Sequence, residues 1–243
     1  MTSRIASVVA GGGLALLLMA SLAACATESS DPTPPASGGS GGTTEVEVDA
    51  VWLDAGRMVG LVTQGSSTCV PIADGATLSA DGVLEVTLVE PATEVCTADM
   101  APRVTVVSLT AGVDPSQELQ ITVTGDGYRG ETDLDGVAGL AAPSGETDYA
   151  PSAGWVDDGA FAIVTWGSSS CAPTIQDVAV TASDAVTVTF AEPEPDRMCT
   201  MDIAPRAVLA FPEGDLDDDA PVTLTLTGGG PEFETPVTTT ILG

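Results

Sequence analysis

Several stretches of the chain alternate apolar and polar residues one by one. Leu84, Val86 and Leu88 share one side with Glu85 and Thr87 on the other, and Val186, Val188 and Phe190 repeat this against Thr187 and Thr189. Leu119, Ile121 and Val123, and likewise Val222, Leu224 and Leu226, do the same. A period of two is the mark of a strand with one buried face. Further strands are expected over 47–53, 57–63, 76–80 and 103–109 and at the equivalent places later in the chain, separated by Gly, Pro and Asp turns. No segment beyond the N-terminal region carries a helical period.

The pattern occurs twice. Residues 52–71, WLDAGRMVGLVTQGSSTCVP, match 155–173, WVDDGAFAIVTWGSSSCAP, with one residue's gap, and CTADMAPR from Cys96 matches CTMDIAPR from Cys199. LQITVTGDG from Leu119 matches VTLTLTGGG from Val222. Such self-similarity reads as a tandem duplication, with one copy over 46–135, a Gly/Ala/Pro/Ser-rich linker over 136–152 and a second copy over 153–243. Six or seven short strands in each copy predict an all-β chain of two small antiparallel β-sandwiches or partly open barrels. An immunoglobulin-like strand order is compatible with that count, although cysteines 27 or 28 residues apart do not fit the wide inter-sheet bridge of that fold.

Four cysteines follow the N-terminal region, Cys69, Cys96, Cys171 and Cys199. Only the pairing Cys69 with Cys96 and Cys171 with Cys199 leaves the copies self-sufficient and equivalent. With no C-x-x-C and no histidine, a structural disulfide in each copy is expected rather than a redox or zinc site.

Composition narrows the chemistry. The 243 residues include six basic and thirty-five acidic ones, a formal charge of −29, and the bases are all arginine, with no lysine and no histidine. A chain without clustered bases does not bind a phosphate backbone, so nucleic acid is excluded as a partner. A serine nucleophile needs a His or Lys to take its proton, so Ser66, Ser67, Ser168 and Ser169 of the G-S-S-[TS]-C-x-P signature read as turn residues. A phosphate-binding loop lacks its lysine. The acidic stretches 130–136 and 213–221 do not complete a calcium loop and read as solvated. No cofactor is expected. The one enzyme class left, as a remote alternative, is a hydrolase using paired carboxylates.

Residues 1–25 read MTSRIASVVAGGGLALLLMASLAAC: one base, an apolar stretch, then small residues leading to cysteine. This is a secretory signal in its usual order, and Leu22-Ala23-Ala24-Cys25 resembles the lipobox of bacterial lipoproteins. The resemblance implies cleavage between Ala24 and Cys25 and attachment of a diacylglyceryl group to the Cys25 sulfur. Two acyl chains suffice for durable anchoring. Residues 25–45 then form a Ser/Thr/Gly/Pro-rich tether with a reach of roughly 24 Å for about 19 flexible positions. Cleavage leaves five bases against thirty-five acids, a charge of −30.

The repeated module, G-S-S-S-C-x-P followed by C-T-x-D-x-A-P-R, resembles surface lipoproteins of high-GC Gram-positive bacteria that carry no assigned activity. It implies an address and no mechanism. Within the module, Asp99 with Arg103 and Asp202 with Arg206 form the notable polar pair. Their expected role is an ion pair or a carbonyl-capping fork beside the disulfide, and the sharper alternative is a ligand contact through Arg103 and Arg206. Trp52 and Trp155 are equivalent and read as core. Trp166 stands where the first copy has Gln64, so the fold does not require it, and it marks the place to look for a private binding surface. The chain is therefore expected to be a membrane-anchored extracytoplasmic module binding an envelope protein or small ligand, with a structural spacer as the alternative.

Overall fold

The computed structural model describes residues 43–92, 95–141, 145–156, 159–214, 216–217 and 220–243. The expected signal, with its expected cleavage and lipidation positions Ala24 and Cys25, lies outside them. The described residues are all-β: fifteen strands, and no helix beyond short 3-10 turns such as those at 54–56 and 230–232. No helix among them is long and apolar enough to cross a membrane.

In the first copy the strands are β1 (Thr44–Glu45), β2 (Asp49–Leu53), β3 (Met58–Gly65), β4 (Ile72–Leu78), β5 (Leu84–Val89), β6 (Ala101–Ser108), β7 (Leu119–Gly125) and β8 (Tyr128–Leu134). In the second they are β9 (Ser152–Val156), β10 (Ala160–Gly167), β11 (Ile175–Ala182), β12 (Ala185–Phe190), β13 (Ala204–Ala210), β14 (Thr223–Gly228) and β15 (Phe233–Leu242). Three sheets result, in the orders β1-β8-β7-β5-β4, β2-β3-β6 and β11-β12-β14-β15-β9-β10-β13.

Registers correspond between the copies. Trp52 stands opposite Val59 and Trp155 opposite Phe161; Thr63 faces Arg103 and Thr165 faces Arg206. Two of the three sheets are mixed rather than purely antiparallel, which corrects the sequence reading. β5 runs parallel to β7 and β12 parallel to β14. The cause is topological: β6 and β13, which fall between those strands in sequence, leave for another sheet edge, and a strand that returns after such a crossover can lie parallel.

Alternation decides what each face touches. Leu84, Val86 and Leu88 of β5 and Leu119, Ile121 and Val123 of β7 bury one face against Trp52, Val59, Leu61 and Val107. Val186, Val188, Phe190, Leu224 and Leu226 meet Phe161, Ile163 and Ala210 in the same way. β3 and β10 do not alternate, because both of their faces are covered. Their other face, with β2, β6 and β9, forms a third core of Val51, Leu53, Met58, Val62 and Val104 against Val156, Ala160, Ala162 and Val164. The copies thus pack on each other through equivalent strands. The 136–152 linker packs too: Val137 and Leu140 lie on the first core.

Two of the edge strands, β4 and β11, are interrupted. The β4–β5 ladder shifts register at Asp74, and the β11–β12 ladder shifts at Gln176 and Thr181. Bulges of this kind blunt an edge against pairing with another chain.

Candidate functional site

The cysteines bond as the duplication requires, Cys69 to Cys96 and Cys171 to Cys199, with Cα–Cα separations of 5.5 and 5.6 Å. Each bridge ties the turn after β3 or β10 to the segment entering β6 or β13. Around it the two halves of the repeated signature meet. The Ser67 amide donates to Asp99 at 3.2 Å and the Thr97 hydroxyl donates to the same carboxylate. Ser169 and Thr200 treat Asp202 alike. Hydrogen bonds from Thr97 and Ser67 hold the Asp99 carboxyl down at about 2, and those from Ser169 and Thr200 hold Asp202 at about 2.

The signature serines belong to this network. Ser66 Oγ lies 2.8 Å from Thr97 Oγ1, which in turn donates to Asp99. Ser66, Thr97 and Asp99 thus form one hydrogen-bonded chain across the two halves of the signature. It staples the turn.

Arg103 and Arg206 do not pair with Asp99 and Asp202. Each projects across the strand pair beneath the disulfide. Arg103 donates to the Cys69 carbonyl and, at 3.1 Å, to Glu90. Arg206 donates to the carbonyls of Cys171 at 3.0 Å and Trp166 at 3.1 Å, to Thr165 Oγ1 and to Glu232. Both guanidiniums donate through their Nη atoms to the protein's own groups, as the carbonyl-capping reading expects, while each Nε is buried without a partner. A glycine precedes each turn for this reason: a Cβ on Gly65 would stand 2.5 Å from the Arg103 guanidinium carbon, and one on Gly167 2.7 Å from that of Arg206.

Outside this polar knot the same loops carry exposed apolar side chains. Val95 and Met100 flank the first bridge and are 82% and 76% exposed; Met198 and Ile203, at the equivalent positions, are 93% and 68% exposed, and Met201 lies between them. Carboxylates are interspersed: Glu192, Glu194, Asp196, Asp99 and Asp202. A cleft of about 280 Å³ lies between the copies nearby, lined by Ser67, Val70 and Pro102–Val104 on one side and by Pro173–Ile175, Ala207–Leu209 and Phe211 on the other.

Trp166 is half-buried against the third core and meets Tyr149 edge-on, ring centroids 5.0 Å apart. Tyr149 belongs to the linker, so this tryptophan helps seat the linker on the second copy. Trp52 is core, its Nε1 donating to the Asp135 carbonyl at 2.8 Å.

One group went unmarked by the sequence. After β2 the chain turns through Asp54, Ala55 and Gly56, all with positive φ (+48°, +52° and +81°). Outside glycine such a conformation costs on the order of 1 kcal/mol per residue. Gly56 has no alternative, since a Cβ there would stand 2.7 Å from Pro115. Asp54 is 3% exposed; its amide donates to Ser152 Oγ at 2.7 Å and its Oδ1 accepts from Thr147 at 3.1 Å. Burial raises the pKa of its carboxyl above the ordinary value, with Asp148 adding to the rise and Thr147 and Arg57 opposing it. The signal available in the sequence was the polar tetrad Asp-Ala-Gly-Arg interrupting an apolar run.

Among the described residues no three Asp, Glu or Cys side chains gather as a metal site. No protein-family model matches the chain, and comparisons with curated proteins and with solved structures find no match.

Proposed function

We propose that the protein is a lipid-anchored extracytoplasmic binding module, made of two duplicated β-sandwiches, that docks a basic envelope protein on the apolar residues at its disulfide ends. One observation carries this reading: Val95 and Met198, and Met100 and Ile203, are equivalent positions that remain apolar and exposed in both copies. A spacer has no use for duplicated exposed methionine, isoleucine and valine, which burden solubility; a docking surface does. The carboxylates around them favour a partner whose apolar contact is ringed by Lys or Arg. The bulges of β4 and β11 blunt those two edges against strand addition. Disulfides agree with an extracytoplasmic address, and the lipobox at Cys25 supplies the anchor.

The test is crosslinking in intact cells with the Cys25 anchor retained, comparing the native chain with Met100→Ser/Ile203→Ser. A crosslinked basic protein that is lost in the variant, and that dissociates as salt is raised, supports the reading. Recovery of nothing above background from the native chain, or of the same protein from both, overturns it in favour of the spacer. Separately, Cys25→Ser should move the protein from the detergent phase to the aqueous phase on phase separation. Unchanged partitioning would remove the lipid anchor from the proposal.

A further inference from the structure

Beyond its N-terminal region the chain has four methionines, Met58, Met100, Met198 and Met201. Met58 is buried in the third core, where this residue type usually lies. The other three stand around the disulfides with their side chains in solvent: Met100 is 76% exposed, Met198 93% and Met201 105%. None of the three belongs to any of the three cores. The cysteines beside them are bridged and offer no thiol. The sulfurs that these loops hold out to an oxidant are therefore thioethers.

The duplication separates what these positions need from what methionine adds. Met198 corresponds to Val95, Met100 to Ile203 and Met201 to Ala98. Val95 and Ile203 are exposed too, so an apolar side chain here does not have to be methionine. What methionine has, and Val, Ile and Ala lack, is a sulfur that a two-electron oxidant converts to a polar sulfoxide. The first copy carries one such residue and the second carries two, so both disulfide ends are open to the reaction.

We propose that Met100, Met198 and Met201 form an oxidation site through which a peroxide switches off the docking surface. With hydrogen peroxide, one oxygen atom is transferred. The thioether sulfur attacks it, the O–O bond breaks as the S–O bond forms, and the sulfur gives up two electrons to become a sulfoxide. The other peroxide oxygen leaves as water with both protons. The product sets a strongly polar oxygen where the partner's apolar contact would sit, and burying it without a donor is costly. Because the three side chains lie outside the cores, the fold survives the change. The inference rests on the docking reading above.

The test begins with the purified full chain in hydrogen peroxide, followed by digestion and peptide mass mapping. One added oxygen should appear on each of Met100, Met198 and Met201 at least tenfold faster than on Met58, with an unchanged circular dichroism spectrum. The control is Met100→Ile/Met198→Val/Met201→Ala, in which each residue takes the identity of its counterpart in the other copy. In intact cells, peroxide should lower the crosslink to the basic protein at least fivefold for the native chain and leave it intact for this variant. Oxidation of Met58 as fast as the others, a native crosslink that survives three sulfoxides, or equal loss of the crosslink in the variant overturns the proposal alone. A native chain that gives no crosslink before peroxide overturns the docking reading and the switch with it.

Discussion

Gly154 of β9 passes so close to the carbonyl of Trp52 that a Cβ on it would stand 2.4 Å from that oxygen and 2.5 Å from Val51 Cγ2. The two residues lie on equivalent strands of the two copies, so this contact sets how near β2 and β9 approach. Gly154→Val should force them apart across the third core and cost about 1–3 kcal/mol, as overpacking does, lowering Tm by roughly 2–12 °C for a unit of this size. Calorimetric melting checks this, and an unchanged Tm would mean that the close approach is not needed.

Arg206 is 7% exposed and its fork serves two carbonyls, a threonine hydroxyl and Glu232. Arg206→Met removes the donors and leaves Glu232 and the Cys171 and Trp166 carbonyls without them, a loss of about 3 kcal/mol. Arg103→Met should cost less, because its partner Glu90 is more exposed than Glu232. Urea midpoints of the two variants give the comparison. A larger loss for Arg103→Met would contradict this ranking.

Strands that alternate were legible in the sequence because one face is wet: Leu84, Val86 and Leu88 could be read off directly. The disulfides were legible because the chain repeats itself. What escaped depended on contacts that periodicity does not encode. The run Met58–Thr63 is apolar on both faces, which signals cover on both sides, yet nothing local names the second copy as that cover. Tyr128–Leu134 is a strand whose residues look polar, since β7 supplies its ladder while only Gly130 and Leu134 are buried. The strand expected at 76–80 runs Ile72–Leu78, with Asp74 bulging out of its ladder. The buried Asp54 is met by Thr147 and Ser152, far away in sequence. Arg103 and Arg206 stood out in the repeat, but their acidic partners, Glu90 and Glu232, lie 13 and 26 residues away rather than four.

Each bridge closes a loop of about 28 residues, which in the chain-entropy account stabilises the folded protein by ~3.6 kcal/mol. Cys69→Ser/Cys96→Ser and Cys171→Ser/Cys199→Ser should therefore each lower stability by about 3–4 kcal/mol, and by similar amounts, because the loops and their surroundings correspond. Denaturation of the two variants under oxidising conditions measures this. If one pair proves dispensable, the two copies are not energetically equivalent, whatever their geometry.

The Asp99 and Asp202 carboxyls should govern acid stability. Both are held at about 2, below the ordinary 3.8, by hydrogen bonds that require the charged form. A carboxyl depressed by folding contributes stability that is fully present above its unfolded pKa and lost as pH falls through its folded one. The window here is pH 4 down to pH 2. Both groups are exposed, so the loss is gradual. In Asp99→Asn/Asp202→Asn the Ser67 and Ser169 amides keep a neutral acceptor, while the charge-dependent part of the bond disappears at every pH. The variant should therefore melt below the native chain at pH 7, and the two melting temperatures should converge as pH falls from 4 to 2. Melting curves across that range decide it. A constant gap between the two would show that the charge on these aspartates does not hold the disulfide turns.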